Sequence, residues 1–407
     1  MLFTLVKNEL IKIMRRPKTW IVFALFFVLV SGGIYLSYKD AKYTEYYNSP
    51  EGRIEQIQNS IEHLNKESKE LEGKTEEWAE SARVENKIHL ENLNKELAEQ
   101  QELLKHKDEP DFWKLSLIKE KEELQKEIDN MMPEDEHVVL LKEQLAEIDK
   151  ALEDNKRPVE SWEFNSINFE ISLFGLLGMI ILASGIAVFM SDIVSGESTP
   201  PTLKFLLVQP IKRGKVILSK FIAVVITVVS MISGLEIVSF GVLSCINGFE
   251  GWDMTEVIGT KYQWDYSTVA TQGEPVLKAI ENSGVEINRF NLLLQSFGLQ
   301  LLFIVACCAF IFLISAIFKS SMTTMALSVI VSVASTMVAM MSRSVGKIAH
   351  INFFNYGNTV SLLQGETALN FRNPNFTVQS GIIVMCITII VSYIIAHVVF
   401  NKKDILI

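Results

Sequence analysis

Residues 378–400 read VQSGIIVMCITIIVSYIIAHVVF, with no Lys, Arg, Asp or Glu. About 20 apolar residues suffice for a helix to cross the roughly 30 Å hydrocarbon core of a bilayer. Only helices and closed barrels satisfy their own backbone hydrogen bonds in lipid, so such a run leaves the chain few architectures. The pattern recurs at Thr19–Tyr38, Phe169–Met190, Val216–Ile246, Leu292–Phe318 and Met322–Met341. Together the six runs predict an all-α, six-span polytopic membrane protein. An even number of spans returns both termini to one side.

Lys and Arg decide which side that is. One set of flanks carries Lys7, Lys12, Arg15, Arg16 and Lys18; Lys204, Lys212, Arg213, Lys215 and Lys220; Lys319; and Lys402 and Lys403. Its acids are Glu9, Asp192, Glu197 and Asp404. On the opposite side, residues 247–290 hold seven acids against Lys261, Lys278 and Arg289. Residues 39–165 hold 34 acidic and 19 basic side chains, a net of −15, which leaves 14 against 19, a net of +5, for the rest. Both termini are therefore expected in the cytoplasm, the acidic block outside. Residues 1–17 precede the first span (18–38). There Leu2, Val6, Leu10 and Ile13 repeat at helical spacing, which fits an amphipathic helix on the cytoplasmic leaflet or a simple extension of the span. No small-residue cleavage site follows the first run, so it reads as a retained signal-anchor.

The acidic block is a second kind of sequence. Ile54, Ile57, Ile61, Leu64 and Leu71, then Leu90, Leu93, Leu97 and Leu104, then Val138, Leu141, Leu145, Ile148 and Leu152 carry a 3–4 apolar spacing typical of a coiled coil. Gly73, His106–Pro110 and Pro133 divide it into about four helices. The chain must leave and rejoin the membrane, so residues 39–165 are expected to form an extracellular α-helical stalk. A long antiparallel hairpin turning near Lys105–Asp111 satisfies this, as does a shorter folded-over bundle. Such a stalk serves as a spacer, or as a partner-binding or gating element.

Chemistry-bearing motifs are scarce. Cys245, Cys307, Cys308 and Cys386 sit in or beside apolar runs, with no C-x-x-C spacing. The six histidines show no ligand spacing, and no basic patch suggests nucleic acid. Gly73-Lys74-Thr75 ends like a phosphate-binding loop, but the glycine required five residues earlier is Ser68. No enzyme, metal site or cofactor is expected in this chain.

The most informative stretch is SDIVSGESTPPTLKFLLVQPIKRGKVILSKF, Ser191–Phe221. Glu197, Thr202, Leu206, Leu207, Pro210, Arg213 and Lys220 have a spacing that resembles the permease subunits of type-two ABC export transporters. The family's glycine before the threonine is Pro201 here. The resemblance implies that loop 191–215 is a coupling helix docking on a separate ATPase subunit that carries ATP and Mg. It also implies a permease dimer, homo- or heteromeric, a bacterial cell-membrane location, and short helices dipping back into the membrane at 343–376. The exported substrate would be an amphiphile (an antimicrobial peptide, a drug or a lipid) or sodium. The alternative is a mechanotransmission or sensing protein whose stalk acts on a cell-envelope partner. From the residues alone, the loop offers a short helix with Leu203 and Leu206 or Leu207 on one face, ended by Pro210, or else a basic topology signal. Within the spans, Glu236 is the outstanding ionisable group. It contacts a cation or cationic substrate, pairs with a base such as Arg343, or is a protonated structural acid. Glu170, at the edge of span two, is expected to be hydrated. The hydroxyl-rich fifth span, from Thr323 to Thr336, suits close helix packing.

Overall fold

The structure is a computed structural model describing residues 2–74, 76–131, 136–198, 212–269 and 275–402. It divides into two compact units, Ser37–Phe164 and the remainder.

In the larger unit, α1 (Leu2–Met14) is amphipathic and buries Val6 and Ile13. Five helices are long and apolar enough to cross a membrane among the described residues: α2 (Pro17–Asn48), α9 (Arg213–Asn247), α10 (Arg289–Ile317), α11 (Ser321–Met341) and α15 (Val378–Lys402). The expected second span takes a different form. It runs as α7 (Ser166–Leu176), a π-helical turn at Leu177–Ile181 and α8 (Leu182–Met190), so no single helix there reaches spanning length. By length and composition the described residues thus offer five candidate spans and one interrupted apolar run. The π turn coincides with a close backbone approach. A Cβ added to Gly178 would sit 1.9 Å from the Gly357 carbonyl oxygen, and one on Gly357 1.8 Å from that of Gly178. Only glycine fits at such a crossing.

The fold is predominantly helical, as expected, with one small β addition. Between α9 and α10 lies an antiparallel ribbon, in which β1 (Thr255–Ile258) pairs with β4 (Val285–Asn288), and β2 (Tyr262–Val269) with β3 (Pro275–Ala279). Tyr262-Gln-Trp-Asp-Tyr alternates aromatic and polar residues, the period-two signature of a strand. Gly259 breaks the ladder at φ +76° and donates its N–H to the Leu363 carbonyl at 2.6 Å.

Residues 343–376 form short helical pieces, α12 (Arg343–Gly346), two 3-10 turns, α13 (Thr359–Gln364) and α14 (Glu366–Asn370). Phe353, Phe354 and Tyr356 are buried; Phe353 and Phe354 pack on Phe310 of α10, and the Tyr356 hydroxyl donates to the His350 carbonyl at 2.7 Å.

The smaller unit contains α3 (Pro50–Glu70), α4 (Glu77–Lys105), α5 (Phe112–Asn130) and α6 (Glu136–Glu153), after the C-terminal part of α2. Ser49 caps α3 by accepting the Gly52 N–H at 3.1 Å. The chain turns at Gly73, where φ is +85°. Beyond it α4 returns antiparallel to α3, with Asn86 near Ser68 and Lys107 paired with Glu51. A second antiparallel pair, α5 and α6, is tied by Lys121–Asp149. Ile57, Leu71, Leu117, Val138, Leu141 and Ile148 form the buried stripe. Two successive hairpins replace the single hairpin turning at 105–111. Its longest helix has 29 residues, about 44 Å at ~1.5 Å per residue.

Candidate functional site

Residues 199–211, which include Thr202, Leu203, Leu206, Leu207 and Pro210, lie outside the described residues. What the structure does describe is how the two ends of that segment are held. On the N-terminal side, a 3-10 turn at Ser195–Ser198 contains Glu197, whose side chain is also outside the description. The backbone N–H groups of Val194 and Ser195 both donate to Ser315 Oγ of α10 at 3.2 Å. Lys18 Nζ donates to Asp192 Oδ1 and to Ser191 Oγ, each at 2.9 Å, while Arg16 reaches Asp192 Oδ2 at 3.3 Å. The end of α8 is thereby fixed to the start of α2 and the end of α10. On the C-terminal side, α9 begins at Arg213. Lys212, Arg213 and Lys215 are exposed, and Arg213 donates to the Asn401 carbonyl at 3.5 Å.

Lys220 behaves differently from these three cations. Its side chain is 1% exposed, and Nζ lies 3.0 Å from both carboxylate oxygens of Glu9 on α1. Charge-assisted hydrogen bonds to both oxygens compensate for much of the cost of burying the pair. The ion pair pins the amphipathic helix to α9, with Val6 and Ile13 facing inward beside it. Lys220 is therefore not an exposed contact on the loop.

A second polar cluster sits further along α9, toward the ribbon. Glu236, 1% exposed, accepts a hydrogen bond from Gln300 Nε2 of α10 at 2.8 Å. Its partner is this amide and not Arg343. Ser239, one turn on, donates to the Glu236 carbonyl at 2.8 Å and lies within hydrogen-bonding reach of Glu170 on α7. Glu170 is 3% exposed, which corrects the expectation that it is hydrated. At the ribbon end, Arg289 Nε donates to Glu256 Oε1 at 2.7 Å, its guanidinium also reaches Asn168 Oδ1 at 3.2 Å, and Gln364 donates to Glu256 Oε2 at 3.3 Å. One arginine thus joins the ribbon, α7 and α10, and the shared glutamate brings in α13. Between α2, α8 and α9 runs an apolar groove lined by Phe23, Phe26, Ile186, Phe189, Val228 and Ile232.

Residues 3–405 match the family described as ABC-2 family transporter protein, essentially the entire helical framework. The chain belongs to that family. Among curated proteins none matches it. It is accordingly a multi-pass membrane protein and a transporter component of the ABC-2 permease type.

Of the sequence-predicted residues of this ABC-2 permease, Arg213 is exposed at the loop's C-terminal flank and Glu236 is buried among helices. Sequence reasoning missed Glu9 as the partner of Lys220, Gln300 as the partner of Glu236, and Ser315 as the anchor of the loop. Each pair is separated by at least 64 residues. A polar residue inside an otherwise apolar run, such as Gln300 in LLLQSFGLQLLF, is the one local hint available.

Proposed function

We propose that this permease is the membrane subunit of an ABC exporter, that it dimerises, and that it pairs with a separately encoded ATPase through loop 191–215. The observation that carries this reading is the anchoring at both ends of the loop, together with three exposed cations, Lys212, Arg213 and Lys215, beside it. A loop fixed to α8, α10 and α9 passes a push from a partner to three helices at once, whereas a freely hinged loop would absorb it. ATP and Mg belong to the partner. The end bearing α1 faces the cytosol and the ribbon faces outward, in keeping with the Lys and Arg distribution. The interrupted run α7–α8 then serves as the sixth span, and the smaller unit stands outside the cell.

An amphiphilic substrate suits the apolar groove. Val228, Ile232 and Glu236 follow at i, i+4 and i+8 on α9, so an apolar face leads toward a buried acid. Peptide antibiotics, drugs and lipids all share that chemistry. The largely exposed apolar surface of α2 supports packing against lipid or a second permease copy. A second reading, mechanotransmission to a cell-envelope partner, is favoured by one fact: Ser37–Phe164 forms a compact unit of its own.

Co-purification with a separately encoded ABC ATPase tests the coupling assignment. Burying a leucine contributes ~1.5–3 kcal/mol, so Leu207→Asp is expected to abolish most complex formation and Arg213→Ala to weaken it less. Full recovery of the complex with Leu207→Asp would reject the loop as the docking element. Export of a cell-wall-active peptide that persists after residues 45–160 are replaced by a short linker would favour transport over mechanotransmission.

A further inference from the structure

The cluster around Glu236 contains more hydrogen-bond acceptors than the protein satisfies. Glu170 of α7, Glu236 of α9 and Gln300 of α10 come together there, and Ser296 lies one turn before Gln300 on the same face of α10. All four are at most 3% exposed. Gln300 Nε2 donates to Glu236 Oε1, which fixes the amide and leaves its Oε1 unpartnered. Glu236 Oε2, Glu170 Oε2 and Ser296 Oγ are equally buried and also lack a hydrogen-bond partner. Three of these four atoms are oxygens that can only accept unless a carboxyl is protonated. Among the described residues no basic side chain pairs with either glutamate, although the same unit supplies the buried Lys220 to the half-buried Glu9.

One compact positive charge, with one of the two carboxyls keeping its proton, balances the cluster and fills its open acceptors. Divalent and transition ions ask for more: calcium takes six to eight oxygens, and softer metals take nitrogen or sulfur. No group of three or more His, Cys, Asp or Glu able to hold a metal occurs among the described residues. Two carboxyls, one amide oxygen and one hydroxyl oxygen suit a hard ion of single charge. We propose that Glu170, Glu236, Gln300 and Ser296 form a binding site for one compact monovalent cation, either an alkali ion or a primary ammonium group. The Gln300–Glu236 hydrogen bond holds two of the oxygens in place before the ion arrives, so binding reorders little. The proposal stands on the packing of α7, α9 and α10 and does not depend on the export reading.

The test uses the purified full-length permease in nanodiscs, without ATPase or ATP. Choline chloride is replaced stepwise by LiCl, NaCl, KCl or methylammonium chloride at constant ionic strength and pH, and thermal unfolding is followed by tryptophan fluorescence. A ligand that binds only the folded state raises the midpoint saturably. The expected result is a saturable rise with at least one compact cation and none with choline. The alkali and methylammonium arms distinguish an inorganic ion from an amine head group. Glu236→Gln should abolish the rise, and Glu281→Gln, an exposed acid elsewhere, should leave it intact. Ser296→Ala keeps both carboxyls and should raise half-saturation about five- to tenfold, the loss of one ligand contact; it serves as the test if Glu236→Gln does not fold. The proposal is overturned by midpoints identical in all five salts, by a rise equally large in Glu236→Gln or with unchanged half-saturation in Ser296→Ala, or by a midpoint that responds to pH alone with no difference between choline and the compact cations.

Discussion

Two acids of the larger unit, Glu9 and Glu236, are treated in opposite ways. Glu9 receives the ammonium of Lys220 against both of its oxygens, while Glu236 receives one neutral amide N–H and keeps Oε2 unpartnered. The first arrangement is closed, since charge meets charge inside the protein and the pair fastens α1 to α9. The second is open, with Glu170, Ser296 and Gln300 contributing further unpartnered oxygens. What separates them is whether the protein itself supplies the counter-charge.

The most damaging way to break this contrast is to unpair the closed site. Lys220→Ala leaves Glu9 without its cation, and removing one partner of a buried pair costs about 3–5 kcal/mol. Membrane-inserted yield and thermal midpoint should both fall sharply, and Lys220→Met combined with Glu9→Leu should recover much of the loss. If the single and double variants are equally destabilised, the pair contributes nothing beyond packing.

Next in size is the loop anchor. Ser315→Ala removes the acceptor of the Val194 and Ser195 N–H groups, and unsatisfied buried donors cost about 1–3 kcal/mol. Protease cleavage within residues 199–211 is expected to accelerate in that variant. An unchanged cleavage rate would mean that Ser315 does not hold the loop.

Glu236→Gln sharpens the contrast from the other side. Measured in choline, where no compact cation is present, its unfolding midpoint should match or exceed that of the wild type, because a costly buried acid becomes a neutral amide. A loss comparable to that of Lys220→Ala would show that Glu236 is closed by a partner after all.

The smallest effect belongs to the other unit. Lys107, hydrogen-bonded to Glu51, holds that carboxyl below its ordinary value. A lowered folded-state value means that the contribution is present above the ordinary carboxylate value and is lost as the pH falls from there through the lower folded-state value. Both groups are largely exposed, so the expected change in helical circular dichroism is slight. Lys107→Gln should flatten it; an acid transition unaffected by that change would remove the pair from the account.

How much of this was legible in the sequence depends on the range of the interaction. Five of the six apolar runs, the helical breaks at Gly73 and His106–Pro110 and the helical spacing of α1 are local patterns that coincide with elements of the structure. The π turn was not legible, because it accompanies a crossing of Gly178 with Gly357, far apart in the chain. Nor was the ribbon, since residues 247–290 drew attention only for their acids, although Tyr262–Tyr266 alternates plainly. Glu236 stood out as a charge in an apolar run. Its setting did not, because Glu170 lies at the end of one apolar run and Gln300 is a single amide inside another. A composition count fixes how many charges a span contains, but only the packing of three helices decides whether they meet.

The account rests on this permease being driven through loop 191–215 by a separate ATPase. The most direct measurement is ATP hydrolysis by that ATPase in proteoliposomes, alone, with the wild-type permease and with Leu207→Asp at equal incorporation. The account predicts that the wild-type chain changes the hydrolysis rate several-fold and that Leu207→Asp returns it to that of the ATPase alone. A rate indifferent to the permease, or identical with wild type and Leu207→Asp, would contradict it.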